Sequence, residues 1–205
     1  MVGESGSGKS SFVRAALGLI PMRTGRVTFC GRELAGPVQT RAVEMRRDLQ
    51  LVFQDPAGSL NPQLRIEQVI AEPLAVHAPE LNTKARQERV VAALQRVGLD
   101  EGLLRRFPHQ LSGGQAQRVA IARALIVNPK VLVCDEAVAA LDGSVRRQIL
   151  DLLQREQHAT GLGIVFISHD LAVVRSISHR VMVLYLGRLV ELADGSGLFA
   201  HPRHP

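Results

Sequence analysis

The segment Gly3-Glu4-Ser5-Gly6-Ser7-Gly8-Lys9-Ser10 fits the pattern G-x-x-x-x-G-K-[ST]. Three glycines let successive backbone N–H groups turn inward around phosphate oxygens, and a helix starting there adds positive potential at its N-terminus. Lys9 sets a point charge on the outer phosphates, and the Ser10 hydroxyl can ligate Mg²⁺. A flexible Gly/Ser terminus explains the glycines but not the Lys-Ser placement. In a chain of this length the pattern arises by chance roughly once in a hundred cases.

Two further segments carry complementary chemistry. In "VLVCDE" at 131–136, four apolar residues make a buried strand and Asp135 and Glu136 emerge at its end. One carboxylate there can hold the shell of a magnesium ion while the next polarises an attacking water. In "LSGGQ" at 111–115, Ser112 and the Gly113 and Gly114 amides stand at the start of a helix that runs on from Gln115, a second anion-friendly element. One nucleotide loop with an additional anion-binding helix start is most simply resolved if the second serves another subunit's nucleotide.

The elements that must position these groups follow from pattern and punctuation. Ser10–Leu19 reads as a helix stopped near Pro21, and 25–34 as two short strands around Gly31. Residues 41–48 read as a short helix, 49–54 as an apolar strand ending in Gln54, and "DPAGSLNPQ" as a run of turn-formers. The middle is helical: Val90, Leu94 and Val97 recur at helical spacing from Thr83 on, with a stop at Gly98, and Gln115–Val127 suits a buried helix. Strands at 131–134 and 164–167, helices at 145–157 and from Leu171, and strands at 181–185 and 188–192 complete the chain. Such alternation predicts an α/β fold with a parallel sheet covered on both faces and a helical insertion of about 70 residues.

Composition restricts the function classes. Of 205 residues, 46% are hydrophobic and 21% charged, enough for a sizeable core. No apolar run reaches the roughly 20 residues that span a bilayer, and the Gly/Ser-rich start does not read as a signal peptide, so a cytosolic location is expected. The net charge of +6 invites a nucleic-acid reading, but the arginines are dispersed and aromatics are only 3%, which argues for a solvated face. Cys30 and Cys134 lie in apolar, strand-like runs and are both expected to be buried and inert.

In the order "GESGSGKSS", "LVFQDP", "LSGGQ", "VLVCDE", "ALD" and "ISHD", the sequence resembles the nucleotide-binding domain of an ATP-binding cassette (ABC) protein. The resemblance runs from residue 1 to residue 205. It implies a P-loop NTPase with a RecA-like parallel-sheet core and a helical subdomain: core residues 1–54, helical subdomain 55–127, core residues 128–205. It implies ATP and Mg²⁺ as ligands, with Gly3, Glu4, Ser5, Gly6, Ser7, Gly8, Lys9, Ser10 and Ser11 around the phosphates and Ser10, Gln54 and Asp135 toward the metal. Glu136 matches the catalytic base, His169 the switch histidine at the γ-phosphate, and Gln54 the glutamine that senses Mg²⁺ and couples to the transmembrane partner. Ser112, Gly113, Gly114 and Gln115 would clamp nucleotide on an opposing subunit, and Asp142 matches an aspartate at that dimer interface.

The implied partners are a second ABC ATPase subunit, identical or not, transmembrane permease subunits, and indirectly a substrate-binding protein. The implied location is the cytoplasmic face of the membrane. "QDPAGSLNP", "EAVAALDGSV" and the terminal "LFAHPRHP" resemble ATP-binding subunits of dipeptide and oligopeptide importers, with nickel importers sharing the pattern. His201 and His204 read as part of a C-terminal extension rather than a metal site. Two other classes compete: a soluble ABC ATPase acting on nucleic acid, and a catalytically silent fragment.

Three departures from the family pattern stand out. Ala139 replaces the usual Ser before Ala-Leu-Asp, and Gly143 stands where an apolar residue is commoner. The chain ends at Pro205, where such importers continue. About thirty residues usually precede the loop, carrying an adenine-stacking aromatic and a central strand; Tyr185, the sole tyrosine, lies too late to be that aromatic. The chain is therefore expected to be truncated at both ends and to lack the strand before the loop. Unpaired buried backbone groups cost about 1–3 kcal/mol each against a total stability of about 5–15, so the polypeptide is expected to be marginal or dependent on another chain.

Overall fold

The computed structural model describes residues 1–200, apart from the side chains of Ala57 and Ser196. The tail at 201–205, read above as no metal site, lies outside the described residues. In chain order the elements are α1 (Lys9–Ala16), β1 (Thr28–Phe29), β2 (Arg32–Glu33), α2 (Val43–Asp48), β3 (Leu49–Val52), α3 (Pro56–Ser59), α4 (Ile66–His77), α5 (Thr83–Arg96) and α6 (Gly113–Leu125). There follow β4 (Val131–Asp135), α7 (Gly143–Thr160), β5 (Gly163–Ile167), α8 (Leu171–Ile177), β6 (Arg180–Tyr185), β7 (Arg188–Asp194) and α9 (Gly195–Ala200). Two units separate: Met1–Arg46 with the stretch from Phe166 onward, and Arg47–Val165. No helix among the described residues is long and apolar enough to cross a membrane.

In the first unit, α1 ends at Ala16, earlier than the predicted Leu19, because Gly18 takes a left-handed backbone at φ 74° before Pro21 is reached. The β1–β2 hairpin turns through Cys30 at φ 49° and Gly31 at φ 75°, the pair of positive angles that a two-residue type I′ turn requires. That turn overturns one expectation: Cys30 is exposed, since a side chain at a hairpin tip has no core to enter. Cys134, in β4, is fully buried, and burial pushes its thiol up to about 12. The core of this unit gathers Val2, Val174, Val181 and Leu198.

Ahead of the glycine loop, Met1 and Val2 are paired on two sides. The Met1 amine donates to the Phe166 carbonyl at 2.6 Å, and the Met1 carbonyl accepts from the Ser168 amide at 3.2 Å. Val2 N–H donates to Met182 at 2.9 Å, and the Val2 carbonyl accepts from the Leu184 amide at 2.8 Å, a single parallel bridge to Val183. β6 and β7 form an antiparallel ribbon.

The second unit holds the parallel pair β3–β4, in register from Leu49↔Val131 to Val52↔Cys134, within a sheet ordered β3-β4-β5. From Leu132 to Asp135, β4 is buried throughout, as a strand covered on both faces must be. α4 was not legible as an element, since Pro73 lies inside it. It forms because Ile66, Val69, Ile70 and Leu74 fall on one face and are completely buried. α3 likewise falls inside a run read as turns. Asn82 caps α5 by accepting from the Ala85 amide at 2.9 Å, and α7 stops at Gly161, φ 71°.

Candidate functional site

The glycine loop of the first unit is built around close backbone approach. A Cβ on Gly3 would stand 2.1 Å from the Leu184 carbonyl oxygen and 2.8 Å from Ser7 Oγ, so only glycine fits. Gly8, at φ 95°, caps α1 without any side-chain cap, which leaves the helix start to an external acceptor. Lys9 is 4% exposed, and its ammonium donates to the Gly3 and Glu4 carbonyls at 2.8 Å each and to Ser7 Oγ at 3.4 Å. A buried ammonium held only by neutral oxygens lacks a compensating negative charge, and an anion in the loop would supply it. Glu4, Ser5, Gly6 and Ser11 are exposed, while Ser10 is half-buried on the first turn of α1.

His169 belongs to the same unit and lies two residues past the end of β5. Ser168 Oγ accepts from the Asp170 amide at 3.0 Å, and Asp170 caps α8 through the Ala172 and Val173 amides at 2.9 and 3.2 Å. This fixed corner leaves His169 exposed on a cavity of about 520 Å³ whose wall also includes Gly3, Glu4, Leu184 and Tyr185. Tyr185 was set aside on sequence position, and no spacing signal could have placed it there.

In the second unit, parallel pairing brings the ends of β3 and β4 side by side. Gln54 lies just past β3, Asp135 ends β4 at 1% exposure, and Glu136 follows. The Gln54 amide donates to the Glu136 carboxylate at 2.9 Å. Glu136 has φ 50°, a left-handed conformation that costs a non-glycine residue about 1–3 kcal/mol and re-aims its side chain away from the strand direction.

The "LSGGQ" segment forms a reciprocal cap on α6. Ser112 Oγ accepts from the Gln115 amide at 3.3 Å, and the Gln115 side chain accepts from the Ser112 amide at 3.0 Å. Gly113 and Gly114 open the helix, and a Cβ on Gly114 would stand 2.5 Å from Val145 Cγ1, so α7 packs on this start. Asp142 caps α7 by accepting from the Ser144 and Val145 amides at 3.1 and 3.0 Å and from Ser144 Oγ at 2.8 Å. The Val145 amide, then the Ser144 hydroxyl, holds the Asp142 carboxyl below its ordinary pKa. Neither departure from the pattern crowds its surroundings: space is open around Gly143, and Ala139 is exposed, its amide donating to the Glu136 carbonyl at 3.0 Å.

Each unit thus assembles part of the predicted set: the loop with His169 in one, Gln54 with Asp135 and Glu136, and Ser112 to Gln115 beside the α7 cap, in the other. Among the described residues, no three His, Cys, Asp or Glu side chains gather to hold a metal.

The sequence profile of the ABC transporter family matches residues 1–139. The oligopeptide transport ATP-binding protein OppF of Salmonella typhimurium is 48% identical over 205 residues, all of this chain and 61% of that protein. OppF of Escherichia coli is 50% identical over 207 residues, again 61% of its length. The chain therefore spans about three-fifths of these relatives. Among solved structures, cbiO1 from Clostridium perfringens, part of the cbiONQ ABC transporter complex, superposes with a TM-score of 0.85 at 30% identity, covering 98% of this chain and 78% of that one. The dimeric ATP-binding cassette MJ0796 bound to ADP and Pi gives 0.82 at 30% identity, covering 94% and 83%.

Proposed function

Because this chain belongs to the ABC transporter family, with a P-loop NTPase fold like that of its structural neighbours, we propose that it binds and hydrolyses ATP and thereby energises uptake of dipeptides or oligopeptides through a membrane permease. The observation that carries the nucleotide part is the buried Lys9 ammonium, held by neutral oxygens under a loop that only glycine can build. The peptide part rests on the naming of the OppF relatives.

In this reading the loop amides and Lys9 bind the phosphates and His169 contacts the γ-phosphate. Glu136 orients the attacking water and accepts its proton, and Gln54 positions the Glu136 carboxylate through their hydrogen bond. Mg²⁺, when bound, neutralises charge on the phosphate oxygens. The family resemblance assigns the Ser10 hydroxyl, Gln54 and Asp135 to it, and all three offer oxygen, the donor type that Mg²⁺ takes. Ser112, Gly113, Gly114, Gln115 and Asp142 serve nucleotide across a dimer with a second ABC ATPase subunit; the dimeric cassette MJ0796 supports that arrangement. The other partners are permease subunits and, indirectly, a substrate-binding protein, at the cytoplasmic face of the membrane. Residues 1–54 and 128–205 are assigned to the nucleotide-binding core and 55–127 to the helical subdomain.

The test is Mg-ATP binding and turnover by the purified chain beside Glu136→Gln. Binding with turnover lost in the variant supports the ATPase. Binding without turnover in either protein supports a silent fragment, and a nucleic-acid affinity that depends on ATP and falls steeply with salt supports the competing class.

A further inference from the structure

Arg41 sits inside the first unit, outside everything used above. It is 9% exposed, and its guanidinium donates to the carbonyls of Ala16 at 3.2 Å, Leu34 at 3.4 Å and Gly36 at 3.2 Å. No carboxylate is among these partners, and Nε is buried without an acceptor. A guanidinium has five donors, so this one retains hydrogen-bonding capacity and an unneutralised charge. Buried charges are ordinarily paired.

The same side chain lines a cavity of about 390 Å³, within the range of about 300–1,000 Å³ usual for small-molecule pockets. Leu19, Ile20 and Met22 form apolar wall, and these three are 43%, 40% and 42% exposed, large side chains left open beside a cavity. Glu33 also lines the cavity, exposed and making no ion pair with Arg41. A buried cation, a separate exposed carboxylate and an apolar surface shared by one cavity are complementary to a molecule with a carboxylate, an ammonium and an apolar body. A Cβ on Gly18 would stand 2.6 Å from Arg41 Nη2, so the backbone is cut away to seat this guanidinium.

We propose that this cavity binds a free amino acid or short peptide with an apolar side chain, its carboxylate on Arg41 and its ammonium on Glu33. The site is independent of the nucleotide-binding residues and does not rest on the proposed ATPase.

The test is calorimetric titration of the full chain, without nucleotide, with leucine, leucyl-leucine, leucyl-leucinamide and N-acetyl-leucyl-leucine. Leucine binding as tightly as leucyl-leucine identifies the amino acid as ligand class; tighter binding of the dipeptide identifies the peptide. Loss of the carboxylate or of the ammonium is expected to weaken binding by roughly tenfold, the equivalent of one charge-assisted hydrogen bond. Glu33→Gln, an exposed change that leaves Arg41 and its carbonyl partners in place, is expected to abolish the preference for the free ammonium. Arg41→Gln, which removes the cation, is expected to abolish the preference for the free carboxylate. No binding at millimolar ligand by the folded chain overturns the proposal, as does equal binding of the blocked and unblocked peptides or a preference for free ammonium that persists in Glu33→Gln.

Discussion

Gln54 Nε2 lies 2.9 Å from Glu136 Oε2, although 82 residues separate them in sequence. The contact follows from the parallel register that ends at Val52↔Cys134, which sets the residues after β3 and β4 at one edge of the sheet. The carboxylate proposed to take a proton from water is thus held by an amide that can only orient it. Replacing Glu136 by Gln is expected to lower turnover by roughly 10²–10⁴-fold, the usual contribution of a positioned general base. Gln54→Ala is expected to cost far less, roughly tenfold, since it removes one hydrogen bond to a charged group. Single-turnover ATP hydrolysis separates the two effects, and equal losses would place the main role of Gln54 at the metal rather than at Glu136.

The glycine pair that opens α6 offers a sharper structural contrast. A Cβ on Gly114 meets Val145 Cγ1 at 2.5 Å, whereas one on Gly113 has nothing nearer than Leu141 Cδ2 at 4.0 Å. Gly114→Ala should therefore destabilise by about 1–3 kcal/mol through overpacking. Gly113→Ala should be neutral or stabilising by up to about 1 kcal/mol through reduced backbone entropy in the unfolded chain. Urea midpoints at unchanged slope measure both, and the two variants should shift in opposite directions or not at all for Gly113.

These residues also show what a sequence can and cannot disclose. Lys9, Ser112, Asp135 and Glu136 were candidates because glycine runs and strand ends announce where a backbone turns toward a ligand, and His169 because "ISHD" matches the family pattern. The left-handed φ of Glu136 was not, since glutamate carries no preference for that region and the strain is imposed by the surrounding chain. α4 was hidden by Pro73, whose interior position argues against a helix until four completely buried side chains override it. Cys30 misled for a related reason. An apolar neighbourhood of four residues reads the same in a strand as at a hairpin tip, and only the turn geometry exposes it.

Arg96 and Glu156 form an ion pair between α5 and α7, with Glu156 only 7% exposed and Arg96 also donating to Asn128 Oδ1 at 3.2 Å. Removing one member of such a pair strands the other. Arg96→Met is expected to cost about 3–5 kcal/mol, and adding Glu156→Leu to recover most of that loss. Thermal or urea unfolding of both variants provides the check. A double variant no more stable than the single one would show that the pair contributes by attraction rather than by mutual neutralisation.

Asp48 is a buried carboxylate of the second unit with two cationic partners. It is 6% exposed; its carboxylate meets Lys130 Nζ at 2.7 Å and Arg47 Nε at 3.2 Å, and its carbonyl accepts from the Lys130 amide at 2.9 Å. Burial alone would raise its pKa, but the hydrogen bonds and charges of Lys130 and Arg47 together outweigh that and hold it below the ordinary 3.8. A carboxyl with a depressed folded pKa binds fewer protons folded than unfolded, so its contribution to stability is complete above the unfolded value and is lost as pH falls through the folded one. Urea midpoints measured from pH 7 downward should therefore drop below about pH 3.8 in the parent chain. Asp48→Asn should be less stable at pH 7 and show a shallower acid decline, the two curves converging at the lowest pH. Parallel curves over the whole range would mean that Lys130 and Arg47 do not stabilise the charged carboxylate.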